Sequence, residues 1–225
     1  MKLKVCFCFT ILALVGLTCF GISKRATYTD VSRDGAYLDE IHVAQIPEEI
    51  CVSDCKRLTE ELPDVSEVVK VTALADVEHL AGTSRQLVRV QKVYQGTALE
   101  EGQEIYVTFY RWSLSLSEEP FSLERGFVNV METEEEYLLF LEGQADELGG
   151  TIPVYRLYGE CVIAPMFAYK EHDNQIGSMV LGSTYVLYDE VRENEFFAVT
   201  QAAMDALLEL KEKMMAQYSV KQEEG

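Results

Sequence analysis

At 225 residues, 48% of them hydrophobic, the chain has material for one well-packed domain with short flanks, and a second full domain is not expected. The formal charge is −19, and residues 1–25 carry four cations and no acids, so the remainder holds 15 basic against 38 acidic residues, a net −23. So acidic a chain repels phosphate backbones, and nucleic acid is not an expected partner.

Lys2 and Lys4 precede an apolar run from Val5 to Ile22, the pattern of a secretory targeting segment whose positive end stays in the cytoplasm. Its 18 residues exceed the usual signal-peptide core and approach the lower limit for crossing ~30 Å of hydrocarbon. Neither Gly21 nor Ser23 ends a good small-residue cleavage site, so an uncleaved signal anchor at residues 1–25 is favoured over a cleaved peptide. Either way the rest of the chain is expected outside the cytoplasm, with the membrane met through residues 5–22.

Residues 26–47 lack sustained periodicity and read as a tether, with a short turn of helix near Tyr37 to Ile41. Residues 48–225 then read as a single extracytoplasmic domain. Its first element is a short helix, Ser53 to Leu62, with Ser53 or Asp54 as N-cap, Pro63 as stop, and Leu58 and Leu62 on one face. Ser53 and Lys56 also fit a Ser-x-x-Lys pattern, but its companion motifs are absent and the serine reads as a cap.

Outside the apolar segment stand Cys51, Cys55 and Cys161, an odd number for an exported chain. Cys51 and Cys55 share a helix face, which leaves a strained local disulfide open to them. Cys161 sits among Val162, Ile163 and Ala164 and reads as a buried thiol.

Strand patterns follow: Val68 to Leu80, one long run bent at a bulge near Asp76; Gln86 to Tyr94; Ile105 to Trp112; Phe127 to Met131; and Tyr137 to Leu141. Val71, Val90, Val107 and Leu139 are expected in one core. Between the second and third runs, Gly96 and Gly102 bracket a tight connection. Further short strands are expected at Val154 to Tyr158, Val162 to Ala164, Phe167 to Lys170 and Thr184 to Tyr188, with a turn at Glu171 to Asn174. Residues 200–218 form an amphipathic helix capped by Thr200. Its apolar face is Met204, Leu207, Leu208, Met215 and Tyr218, interrupted by Lys211. The fold class is mainly β (α+β): a small meandering barrel, closed or partly open, with extra strands, a short helix before it and a docking helix at its end.

Four stretches carry a resemblance: Val68-Val69-Lys70-Val71, Leu87 to Gly96, Gly102 to Val107, and Glu135-Glu136-Tyr137-Leu138-Leu139-Phe140-Leu141. In this order and spacing they resemble the OB-type barrel of netrin-like domains, which the tissue inhibitors of metalloproteinases share with many bacterial exported proteins. The match covers about a third of the chain and marks packing and turns. Glu124 to Asn129 and Asn194 to Phe197 are similar to uncharacterised membrane-anchored proteins of Gram-positive anaerobes. The inhibitors' N-terminal Cys-x-Cys has no equivalent, because Cys51-x-x-x-Cys55 is internal and differently spaced, so metalloproteinase inhibition is not implied.

No His-x-x-x-His, phosphate-binding loop, dinucleotide fingerprint or nucleophile elbow is present, so no cofactor, metal or catalytic residue is assigned. The constellation that stands out is Tyr110-Arg111-Trp112 with Arg125, aromatic and guanidinium groups of the kind that anchor binding patches. The alternative for Trp112 is a plug in one end of the barrel. Two function classes result: a non-enzymatic module binding a protein, peptide or glycan at the cell surface, and a hydrolase of wall or sugar components with dispersed carboxylates. The absence of a nucleophile-and-base pairing favours the first. Carboxylates converging in one pocket with raised pKa values would favour the second.

Overall fold

A computed structural model of the chain describes residues 11, 14–23, 41–44, 47–80, 83–115, 122–145, 150–159, 162–178 and 185–220. The chain divides into two compact units, Met1–Tyr37 and Leu38–Gly225. In the first, residues 14–23 are helical and exposed. Residues 5–10, 12 and 13 of the expected anchor lie outside the described residues, as do 26–40, 45 and 46 of the expected tether. Among the described residues no helix is long and apolar enough to cross a membrane.

In the second unit the chain runs through β1 (His42–Ala44), α1 (Glu48–Glu61) and a 3-10 turn at Leu62–Asp64. Next come β2 (Glu67–Ala73), β3 (Glu78–Leu80), β4 (Thr83–Gln95), β5 (Glu104–Thr108), β6 (Ser113–Ser115) and β7 (Ser122–Glu124). The remainder is β8 (Glu136–Gln144), β9 (Val154–Leu157), β10 (Met166–Ala168), β11 (Tyr185–Leu187), α2 (Tyr188–Val191) and α3 (Gln201–Val220).

The fold is mainly β, built on a closed barrel of five strands in the cyclic order β2-β4-β5-β9-β8. Its pairings are antiparallel except for β5 with β9, which is parallel and joins strands far apart in the chain. This is an OB-like arrangement. Period-two alternation sends Val88 and Val90 of β4, and Ile105 and Val107 of β5, inward, and all four are fully buried. Val71, Val90, Val107 and Leu139 share one core, as their spacing predicts.

The β4–β5 connection explains one glycine. Glu67 is buried at the start of β2, and its Oε1 accepts from the N–H groups of Thr97 (3.0 Å) and Ala98 (3.1 Å). Gly96 has φ +107°, and the Glu67 carboxylate occupies the space a Cβ would need there. Only glycine meets both demands.

Several elements depart from the sequence expectations. The run Val68 to Leu80 is two strands, β2 and β3, separated where Gln86 reaches across to the Ala75 carbonyl (3.0 Å). The register irregularities fall inside the β2–β4 pairing instead. Phe127 to Met131 is no strand, because consecutive positive φ values at Gly126 (62°) and Phe127 (62°) turn the chain. Only a bridge, Val128 to Phe196, forms there, and it lies between the two segments that carried the second resemblance. Val162 to Ala164 is likewise irregular.

Residues 42–44 are not tether. Ile41 and Val43 are buried, and β1 pairs with β11 and with β7 in a second sheet of order β11-β1-β7-β6. A small apolar cluster of Val43, Val186, Val191 and Phe197 lies beneath it.

α1 starts before its expected cap. The Pro47 carbonyl accepts from Ile50 and Cys51, and Glu48 and Glu49 place negative charge in the first turn, where the helix dipole favours it. Ser53 is therefore mid-helix, and Asp54 accepts instead from the Val162 N–H (3.1 Å). Leu58 and Leu62 are both fully buried, as expected. α3 is capped by Thr200, whose Oγ1 accepts from Ala203 N (3.3 Å). Its buried stripe is Ala203, Met204, Leu207, Leu210, Met214 and Tyr218, packed on Cys51, Cys55 and the barrel. Lys211 does not interrupt this stripe. It is buried within it, Nζ 2.6 Å from Glu195 Oε2.

Candidate functional site

The turn after β5 decides where the marked constellation goes. Trp112 N donates to Phe109 O (2.9 Å), closing a turn with Tyr110 and Arg111 at its corner. The flanking Phe109 and Trp112 are drawn into the core, both fully buried, while Tyr110 is 48% exposed. The expected four-residue patch is thereby split. Trp112 belongs to the main core and is out of a partner's reach. Arg125 is buried too, at 3% exposure, and its charge acts on His79 and Tyr188. Of the four marked residues, Trp112 and Arg125 are thus buried, and only Tyr110 and Arg111 stand at the exposed turn.

These two line a cleft of about 470 Å³ with Glu142, Arg156, Leu157 and Gly159. Its floor is the closing seam of the barrel. Leu141 pairs with Leu157, and Gly143 with Arg156, so Glu142 is the extra residue of a β-bulge. Bulges turn a side chain out of its alternation. Here Glu142 is exposed, and its Oε2 accepts from Gly159 N (3.1 Å), where the chain turns with φ +92°. Arg111 Nε donates to Tyr110 Oη (3.1 Å), and the guanidinium carbon lies 5.3 Å from the Tyr110 ring centroid. Phe109 meets the same ring at 4.8 Å and 64°. The cleft thus combines two guanidinium groups and one carboxylate at the barrel's end.

No protein-family model and no curated protein matches the chain. The geometry of the site therefore carries the functional argument.

The sequence alone does not single out Glu142, Arg156 or Gly159. A signal existed for the first. Gly143, just after the apolar run Tyr137 to Leu141 and between Glu142 and Gln144, is of the kind that marks a bulge when it falls in a strand. Arg156 is an ordinary outward strand position, and only the parallel β5–β9 pairing brings it beside the Tyr110 turn.

Several buried polar groups are committed to structure. Burial pushes the Glu195 carboxyl above its ordinary range against the opposing pull of Lys211, and its Oε1 also accepts from Ala168 N (2.8 Å). Burial, with the Arg125 charge, lowers His79 to about 4, and its Nδ1 lies 2.9 Å from Ser84 Oγ. Buried Gln86 bridges the chain with its amide, donating to Met131 O (2.6 Å) and accepting from Met131 N (3.0 Å). Cys51 and Cys55 are not joined to each other. Both are buried thiols, and the Cys51 Sγ lies 3.9 Å from the Ala203 carbonyl. The local disulfide left open to them is not formed, and both side chains pack between α1 and α3. Among the described residues no group of three or more His, Cys, Asp or Glu side chains is placed to hold a metal ion.

Proposed function

We propose that this chain is a non-enzymatic extracytoplasmic binding module, exported by residues 1–25, held at the membrane by them, and engaging its partner through the Arg111 cleft. The netrin-like resemblance belongs to the same proposal and is supported by the closed five-strand barrel. The observation that carries the binding reading is local. In a chain of net charge −19, two arginines and an exposed tyrosine meet in one cleft at a barrel end. Convergent polar groups in a concave site are the usual mark of a binding pocket. Against a hydrolase stands the fate of Glu195. Its raised carboxyl lies inside the domain against Lys211 rather than in the cleft, where Glu142 is the carboxylate.

The test incubates the full chain with a panel of envelope peptides and glycans, with binding and turnover read together. The reading expects retained ligand recovered chemically unchanged, amide resonance shifts at Tyr110, Arg111 and Gly159, and loss of retention in Arg111→Glu. Conversion of any panel member to product, or retention unaffected by Arg111→Glu, overturns it.

A further inference from the structure

We infer that the Arg111 cleft takes a short zwitterionic peptide, holding its terminal carboxylate on Arg111 and its ammonium beside Glu142. The inference rests on the reading of this cleft as the binding site and names the ligand class.

Three features of the cleft lead to it. The first is the state of Arg111. Its Nε is engaged by Tyr110 Oη, and among the described residues this is its hydrogen bond, so both Nη groups remain. A guanidinium pinned at Nε and backed by a ring presents its planar fork in a fixed direction. That fork matches a carboxylate through two parallel bonds, which a lysine cannot do.

The second is the mixed sign of the walls. Glu142 is not an accidental surface acid: the bulge turns it out of the β8 alternation and Gly159 N holds one of its oxygens. A ligand bearing only negative charge would meet the Arg111 and Arg156 guanidinium groups favourably but the Glu142 carboxylate unfavourably. A ligand with a carboxylate and an ammonium matches both walls. The volume, about 470 Å³, is inside the usual range for small-molecule sites and suits a di- or tripeptide.

The third separates a peptide from a sugar acid. Tyr110 is the cleft's aromatic residue, but its ring centroid lies 5.3 Å from the Arg111 guanidinium carbon and 4.8 Å from the Phe109 ring centroid. The ring, although 48% exposed, is engaged by both neighbours, which favours orienting arginine over stacking on a pyranose.

The experiment titrates the full chain with trialanine, trialanine amide, N-acetyltrialanine and glucuronic acid, by calorimetry and amide resonance shifts. Trialanine is expected to bind best, with amidation and acetylation each weakening it at least tenfold. Arg111→Lys should weaken trialanine at least tenfold, and Glu142→Gln should make free and acetylated peptide bind alike. Both variants should unfold at the parent's midpoint, because neither side chain is in the core. Equal affinity for the amide, tighter binding of glucuronic acid, or binding of no probe overturns the inference. If no probe binds while Arg111→Glu still abolishes retention of an envelope ligand, the ligand class is wrong and the binding site stands. If retention is also unaffected, both fall.

Discussion

Replacing Lys211 with methionine should be among the most damaging single changes in the domain, although sequence alone makes the lysine look like a flaw in an apolar stripe. The Lys211 and Glu195 side chains are only 9% and 3% exposed, and Nζ and Oε2 lie 2.6 Å apart. Breaking a buried pair by removing one partner costs about 3–5 kcal/mol, because the other charge stays buried without compensation. Here the Ala168 N–H (2.8 Å) would still serve the carboxylate, so the lower half of that range is expected. With a urea slope of about 2 kcal/mol/M, the unfolding midpoint should fall by roughly 1.5–2 M at pH 7. The pH dependence has a definite sign. Burial already raises the Glu195 carboxyl above its ordinary value, and losing the Lys211 charge raises it further. A group raised in the folded state contributes stability below its unfolded value that is lost as pH rises through the folded one. The Lys211→Met deficit should therefore shrink on acidification toward the ordinary carboxylate range. Glu195→Gln/Lys211→Met, which removes both charges, should be more stable than Lys211→Met alone. A midpoint shift under about 0.5 M, or a deficit that does not change with pH, would refute the reasoning.

Trp112→Ala should lower stability by about 3–5 kcal/mol in chemical denaturation, as loss of a core aromatic does, whereas Trp112→Phe should cost much less, since the indole N–H has no hydrogen-bond partner among the described residues. An unchanged midpoint for Trp112→Ala would return this residue to the surface. His79 should titrate with a midpoint of about 4 in an NMR pH series, held neutral first by burial and then by Arg125. Because that value lies below the unfolded one, His79 contributes stability at neutral pH that is lost as pH falls through its folded midpoint. A midpoint at the ordinary histidine value of about 6.5 would contradict its placement.

Much of this protein is written in local pattern. Alternation placed Val71, Val90, Val107 and Leu139 in one core because a strand's two faces are fixed by a period of two. Gly96 and Gly102 announced a tight connection because positive φ excludes most other residues, and both have it. Thr200 marked the start of α3 through its capping oxygen. Tertiary structure decided what pattern cannot encode. Tyr110-Arg111-Trp112 is contiguous in sequence, yet a turn closed by the Phe109 carbonyl sends two of these residues out and one in. Lys211 is acceptable in an apolar stripe only because Glu195, sixteen residues away in sequence, arrives opposite it. Residues 42–44 became a strand because β7 and β11 flank them, although no periodicity that short could announce it. The cleft itself depends on the parallel pairing of β5 with β9, which lets Arg156 and Arg111 line one cleft with Glu142 of the β8 bulge. Such a site is assembled from three separated segments, and their meeting is a property of barrel closure rather than of any one of them.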